Sequence, residues 1–135
     1  MPAIISTTDS IGQQEVVALY RAHGWTSADK PDQLLPALRG SHCLVTARED
    51  GQLVGLANAI SDGHLVAYFP HMLVHPAYQR RGLGRAMVQV LMSRYEDFHQ
   101  LMLTADADAV GFYERVGFSR AGTTIPMWVY SGTEH

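Results

Sequence analysis

Up to about residue 40 the apolar positions recur at helical spacing, and from His42 onward they take on the denser texture of strands. Val16, Val17, Leu19 and Tyr20 give a partial apolar face to a helix predicted from about Gln13 to His23, with Asp9 and Ser10 as caps and Gly24 as its stop. Trp25 to Pro31 reads as a connection, and Pro31 to Arg39 as a second short helix carrying Leu34, Leu35 and Leu38, which Pro36 weakens. His42 to Arg48 and Leu53 to Ile60 form a hairpin around Glu49-Asp50-Gly51-Gln52. Leu65 to Val74 is predicted as a third strand, apolar enough to be central. Pro70 lacks the ladder donor, so a bulge or broken pairing is expected there, leaving nearby backbone groups free for a ligand. A helix follows over Arg85 to Tyr95, then a strand from Gln100 to Thr104, a helix from Ala107 to Val116 closed by Gly117, and a last strand from Thr124 to Tyr130. Helices alternating with a mixed sheet, without linker or repeat, define one α/β domain over residues 1–135.

Chemistry concentrates between the third strand and the helix after it, in Gln79-Arg80-Arg81-Gly82-Leu83-Gly84-Arg85-Ala86. A helix start leaves backbone N–H groups without partners and carries about half a positive charge, so a ligand bearing phosphates suits it. Glycine there allows positive φ and close backbone approach. A Walker-type loop would end in Gly-Lys-Ser/Thr, which is absent, and a dinucleotide fingerprint would need glycine where Met87 stands. An ordinary glycine-rich connection with a solvated basic cluster would show the same tripeptide.

Composition narrows the partner. The chain has 135 residues, is 47% hydrophobic and 17% charged, and has a formal net charge of −3. Nothing in that balance points to nucleic acid or to a polybasic membrane anchor. Arg80, Arg81 and Arg85 nevertheless gather at the glycine turn, and a local anion site in a mildly acidic chain fits a small phosphate ligand. The single cysteine, Cys43, lies in an apolar run, as a buried structural thiol does. No secretory signal and no run of membrane-spanning length is visible, so a cytoplasmic location is expected.

A second motif, Gly111-Phe112-Tyr113-Glu114-Arg115-Val116-Gly117-Phe118, places Phe112, Val116 and Phe118 against the sheet and Tyr113 on another part of the helix surface. A tyrosine packed at a helix–sheet interface would look the same. Taken together, Gln/Arg-x-x-Gly-x-Gly after Leu-Val-His-Pro, and Phe-Tyr-x-x-x-Gly-Phe downstream, resemble the GCN5-related N-acetyltransferase (GNAT) family. The resemblance runs from Val16 to about Phe118 and includes Leu19-Tyr20-Arg21-Ala22-His23-Gly24-Trp25, which is similar to the first helix and loop of small bacterial members.

The resemblance implies a mixed, mostly antiparallel twisted sheet flanked by helices. It also implies an acetyl-CoA-dependent N-acyltransferase acting by direct attack of a primary amine in a ternary complex, without a metal. It assigns Met72, Leu73 and Val74 to the pantetheine and acetyl carbonyl through their main chain. The pyrophosphate falls to Gln79, Arg80, Arg81, Gly82, Leu83, Gly84, Arg85 and Ala86. Tyr113 becomes the acid that protonates the departing thiolate. The family's usual base positions fall near Tyr68 and Pro70, neither suited to the task, which leaves His71 and the strand-ending His75 as substitutes. Either Asp106 or Asp108 is expected to cap the Tyr113 helix, and a carboxylate there would also attract a cationic amine. Trp25, Tyr68, Phe69 and Trp128 could wall an acceptor pocket. A small-molecule amine is the expected acceptor, with a protein or peptide amine, or non-catalytic acyl-CoA binding, as alternatives. The apolar strand near the chain end, with Met127, Trp128 and Val129, suggests a homodimer.

Overall fold

The computed structural model describes residues 2–133. Its elements are β1 (Ile4–Ser6), α1 (Gln13–His23), α2 (Pro31–Arg39), β2 (Cys43–Glu49), β3 (Gln52–Ser61), β4 (Val66–Tyr68), β5 (Met72–Val74), α3 (Leu83–Arg94), β6 (Gln100–Met102) and α4 (Val110–Arg115). Short 3-10 turns cover Thr26–Asp29, Pro76–Tyr78 and Ala107–Ala109. The six strands run β1-β2-β3-β4-β6, with β5 also paired to β3. Only the β4–β6 pairing is parallel, so the mixed, mostly antiparallel sheet matches expectation.

β3 carries the sheet because both of its faces are covered. Leu53 and Leu56 face α1 and α2, packing with Val16, Leu19, Leu34 and Leu38. Val54, Ala57 and Ala59 face α3 and pack with Met87, Leu91 and Tyr95. A strand buried on both sides reads as an almost continuous apolar run, as this one does.

The two predicted helices of the N-terminal half keep their boundaries, and Pro36 is accommodated in α2. The capping differs. Gly12 is the N-cap of α1, and its N–H donates to Glu15 Oε2 at 2.9 Å. Asp9 instead accepts from Thr46 Oγ1 and from Arg48 Nε, both at 2.7 Å, while Arg48 Nη2 reaches Glu15 Oε2 at 2.7 Å. Arg48 thus ties the first helix to the hairpin. Burial pushes the Asp9 carboxyl up, but the hydrogen bonds from Thr46 and Arg48, with the Arg48 charge, outweigh it and leave the pKa below the usual range. The Arg48 hydrogen bond likewise holds Glu15 low. A depressed carboxylate contributes stability above its unfolded pKa and loses it as the pH falls through the folded one. Arg48→Met is therefore expected to cost about 1–2 kcal/mol at pH 7, moderated by partial solvent screening. The difference from wild type should shrink below about pH 4 in denaturant titrations, where both carboxyls protonate.

The segment predicted as one strand, Leu65 to Val74, is two. β4 pairs with Ile60 and Ser61 at one end of β3, β5 pairs with Gly55 to Ala57 nearer the other, and Phe69-Pro70-His71 joins them. Pro70 is the physical cause, since it offers no N–H to a ladder. Asn58 bridges the break: its N–H donates to the His71 carbonyl at 3.1 Å, and its side-chain oxygen receives the His71 N–H at 3.0 Å.

Two further expectations change. The helix expected over Ala107 to Val116 starts as a 3-10 turn and is helical only over Val110–Arg115. Thr124 to Tyr130 forms no ladder with the described strands. It is an irregular, exposed segment in which Ile125, Met127 and Val129 are strongly solvent-accessible and Trp128 stacks on Tyr130 at 4.3 Å. The alternation of apolar residues was real, but a strand also requires a partner, and Pro126 removes one donor.

Candidate active site

A cleft of about 1280 Å³ opens where β4 and β6 part. The parallel pairing ends at Tyr68 and Met102, with one more bond from the Phe69 N–H to the Met102 carbonyl at 2.9 Å. Beyond it β5 stays with β3 while the chain after β6 turns toward Asp106 and α4, so a gap develops between them.

The register of β5 decides which backbone groups face that gap. The Asn58/His71 and Val54/His75 pairs carry ladder bonds, so by alternation Leu73 also turns its peptide groups toward β3, whereas Met72 and Val74 turn theirs away. Of the three residues expected to contact the acyl-pantetheine chain, Met72 and Val74 therefore offer the cleft their main chain. The Val74 carbonyl also accepts from Gln79 Nε2 at 3.1 Å, anchoring the start of the glycine turn.

At the other end of the cleft lies the N-terminus of α3. Gly82 is its N-cap, in the left-handed region at φ 80°, and a Cβ built on it would meet no atom within 4 Å. That space is open toward whatever the turn holds. Gly84 is closer packed: a Cβ there would stand 3.4 Å from Phe112 and 3.5 Å from Met72. The turn therefore brings the helix start, β5 and α4 together. No acidic residue occupies the first turn of α3, and Arg80 and Arg85 line the cleft beside it. Unpaired N–H groups, an open glycine and two guanidinium groups fit a pyrophosphate. Arg81 departs from its expected place: it reaches Glu49 from Nη1 at 3.2 Å and lies over the Tyr78 ring at 5.1 Å. Leu83 lines the cleft, while Ala86 sits one turn into α3 with its N–H bonded to the Gly82 carbonyl at 3.0 Å.

Tyr113 projects from α4 into the cleft, its ring edge-on to Phe112 and Phe118. Burial, aided by the Asp106 charge, pushes its phenol up to about 12, so it is protonated at neutral pH. Asp106 and Asp108 do not cap α4 through their side chains. Both line the cleft instead.

An aromatic cluster of Tyr20, His23, Trp25 and His71 adjoins the cleft. Trp25 sits 4.8 Å from His23 and 5.4 Å from His71, ring centre to ring centre. His71 Nδ1 lies 2.7 Å from the Tyr20 hydroxyl. Tyr20 is buried, its pKa is raised by that burial, and His71 is the one hydrogen-bonding partner of its hydroxyl among the described residues. A buried hydroxyl proton without an acceptor costs about 1–3 kcal/mol, so the tautomer that satisfies Tyr20 has the hydroxyl donating to Nδ1. Nε2 of His71 then carries the hydrogen. Burial also lowers the His71 pKa to about 4, so the ring is neutral. His71 stands at the cleft as expected, but as an N–H donor. Asn58, Tyr20 and His23 were not singled out as site residues from sequence. His23 belonged to a helix-end motif whose direction only the fold reveals, and Asn58 looked like one more strand position.

Comparison with known proteins agrees with this geometry. A GNAT acetyltransferase domain model matches residues 8–126. A solved GNAT-family acetyltransferase of Streptococcus pneumoniae TIGR4 superposes with a TM-score of 0.82 at 26% identity, over 95% of this chain and 98% of that one. The histone acetyltransferase TAP1 of Glycine max is 29% identical over 85% of this chain and 55% of its own. An uncharacterized N-acetyltransferase, ycf52, of Gracilaria tenuistipitata var. liui is 40% identical over 49% of this chain and 37% of its own. The chain thus spans about half or less of these two curated relatives. With the domain model covering most of the sequence, and the glycine turn, parted strands and Tyr113 in one cleft, the chain belongs to the GNAT acetyltransferase family.

Proposed function

We propose that residues 1–135 act as a single domain that transfers an acetyl group from acetyl-CoA to the primary amine of a small molecule, by direct attack in a ternary complex. The observation that carries this reading is the convergence on one cleft of an open, left-handed Gly82 at a helix start, the outward-facing backbone of Met72 and Val74, and a protonated Tyr113. Acetyl-CoA, the co-substrate of the family, would lie along that line. Its pyrophosphate would rest on Gly82 to Arg85 near Arg80, its pantetheine amides would meet the β5 edge, and its thioester would reach Tyr113. Backbone N–H groups there polarise the carbonyl, and Tyr113 protonates the sulfur. His71 Nε2–H is a further donor on the acceptor side.

The aromatic wall of Trp25, Tyr68 and Trp128 and the carboxylate of Asp106 favour a compact cationic amine over an extended chain. The soybean relative's name, a histone acetyltransferase, favours a protein lysine instead. No helix among the described residues is long and apolar enough to cross a membrane, and a cytoplasmic setting goes with this reading. The exposed Ile125, Met127 and Val129 suit a homodimer in which each C-terminal segment meets its partner.

Free thiol release from acetyl-CoA, followed over a panel of polyamines, arylalkylamines, amino acids and lysine peptides, tests the reading. Release that depends on a small amine is expected. Release with peptides alone would replace the acceptor class, and tight CoA binding without release across the panel would favour a non-catalytic module. Light scattering on the same preparation should give twice the chain mass; a monomer at micromolar concentration would remove the dimer.

A further inference from the structure

The transfer needs a group that takes a proton from the attacking nitrogen, and the residue expected for that role is engaged otherwise. With Tyr20 donating to Nδ1, His71 presents Nε2–H to the cleft and has no lone pair free for the amine. We infer that His23, at the C-terminal end of α1, is the general base, and that Asp106 is the positioning carboxylate that couples it to Tyr113. The inference rests on the acetyl-transfer reading above.

Three observations support it. His23 lines the same cleft as Tyr113 and His71, packed edge-on against Trp25 at 4.8 Å. Its ring is neutral near pH 7, because burial lowers its pKa while the Val74 backbone and Asp106 oppose the shift. The Val74 backbone acts on the ring from the wall of the same cleft. A neutral imidazole that donates from one nitrogen keeps a lone pair on the other. Val74 belongs to β5, the strand that would carry the acyl-pantetheine chain, so the base lines the same cleft as the element that would position the thioester. The third observation is Asp106. It lines the same cleft, on the chain between β6 and α4, and its carboxylate raises the proton affinity of both His23 and Tyr113.

The proton balance closes. The amine lone pair forms the C–N bond, the C–S bond breaks, the nitrogen's proton passes to the free nitrogen of His23, and the Tyr113 hydroxyl protonates the leaving sulfur. An imidazolium and a phenolate remain, and the proton returns from the first to the second through water in the cleft. The Asp106 charge stabilises the imidazolium formed on amine attack and, by disfavouring the phenolate, favours reprotonation of Tyr113 for the next cycle. The titratable and charged groups that line this cleft with His23 include His71 from the β4–β5 connection, Tyr113 and Arg115 from α4, Asp106 and Asp108 from the chain between β6 and α4, and Arg80 and Arg85 from the glycine turn and α3.

The test is a pH–rate profile of acetyl transfer for the full chain with the best amine found, together with His23→Gln, His71→Gln and Asp106→Asn. His23→Gln is expected to lower kcat at least 30-fold and to abolish the acidic limb of the profile, with the Kd for CoA within twofold of wild type. Exogenous imidazole should restore part of the activity of His23→Ala. Asp106→Asn removes a charge that raises the His23 pKa, so its acidic limb should move to lower pH. His71→Gln, which keeps an N–H donor, should retain the limb. The assignment is overturned if a folded His23→Gln, judged by its CoA affinity, keeps its turnover, or if the acidic limb disappears with His71→Gln instead. Wild-type protein that transfers to no amine would sink the acetyl-transfer reading itself, a different outcome from active wild type with an active His23→Gln.

Discussion

Tyr113→Phe should lower kcat by about two orders of magnitude while leaving CoA affinity within about twofold, the range expected when a positioned proton donor is removed. The substitution is close to silent for the fold. Phenylalanine keeps the edge-on contacts with Phe112 and Phe118, and the hydroxyl makes no hydrogen bond to another described residue. What is lost is the proton. At about 12, the phenol is a weaker acid than a thiol in water, which at first argues against it as a donor. In the proposed transfer, however, the thiolate would form in the same cleft, and the burial that raises Tyr113 would raise the departing sulfur too. Transfer then exchanges one buried anion for another without desolvating a new charge. The high value also ensures that the residue starts each cycle protonated. Equal losses in kcat and CoA affinity would mean that Tyr113 shapes the cleft and does not act on the sulfur. Unchanged kcat would remove it from the chemistry.

Much of this candidate site is legible in the sequence alone, and the parts that are not share a cause. The glycine turn and the Phe112-Tyr113 segment are readable because each is defined within a few consecutive residues: a helix start with open glycine, and a short helix packed by its aromatic residues. Pro70 announced a break in a strand, because the missing N–H is a property of one residue. The direction of a side chain across the break was not a local property. His71 depends on Asn58, thirteen residues away, for its backbone and on Tyr20, fifty-one residues away, for its tautomer. Arg81 looked like a third phosphate ligand because it stands beside Arg80. Only the hairpin, which places Glu49 within reach, draws it aside. The C-terminal alternation was read as a strand because pattern reports the preference of a segment and not the presence of a neighbour. Asp9 precedes a helix as a cap does, whereas Arg48 and Thr46, on a strand far along the chain, claim it.

Gly82→Asn is expected to have the complementary effect to Tyr113→Phe: a rise of at least tenfold in the Kd for CoA, with kcat near wild type once acetyl-CoA saturates. Asparagine is chosen because it tolerates the left-handed conformation that Gly82 adopts at φ 80° better than other residues with a side chain. The backbone cost is then modest, and the melting temperature should fall by only a few degrees. Since a Cβ at this position would meet no protein atom within 4 Å, the fold itself does not resist the new side chain. The clash falls on the ligand, because the space in front of the α3 N-terminus is where the reading puts the pyrophosphate. A tenfold loss corresponds to about 1.4 kcal/mol, a small price beside what charge-assisted bonds from backbone N–H groups can supply, so a larger effect is physically open. Isothermal titration with CoA reads the first quantity and thiol release at saturation reads the second. Tight CoA binding by a folded Gly82→Asn would move the pyrophosphate off this turn and with it the alignment of the thioester on Tyr113. A split in which one variant loses affinity and the other loses turnover separates the two ends of one cleft, the first holding the carrier and the second completing the transfer.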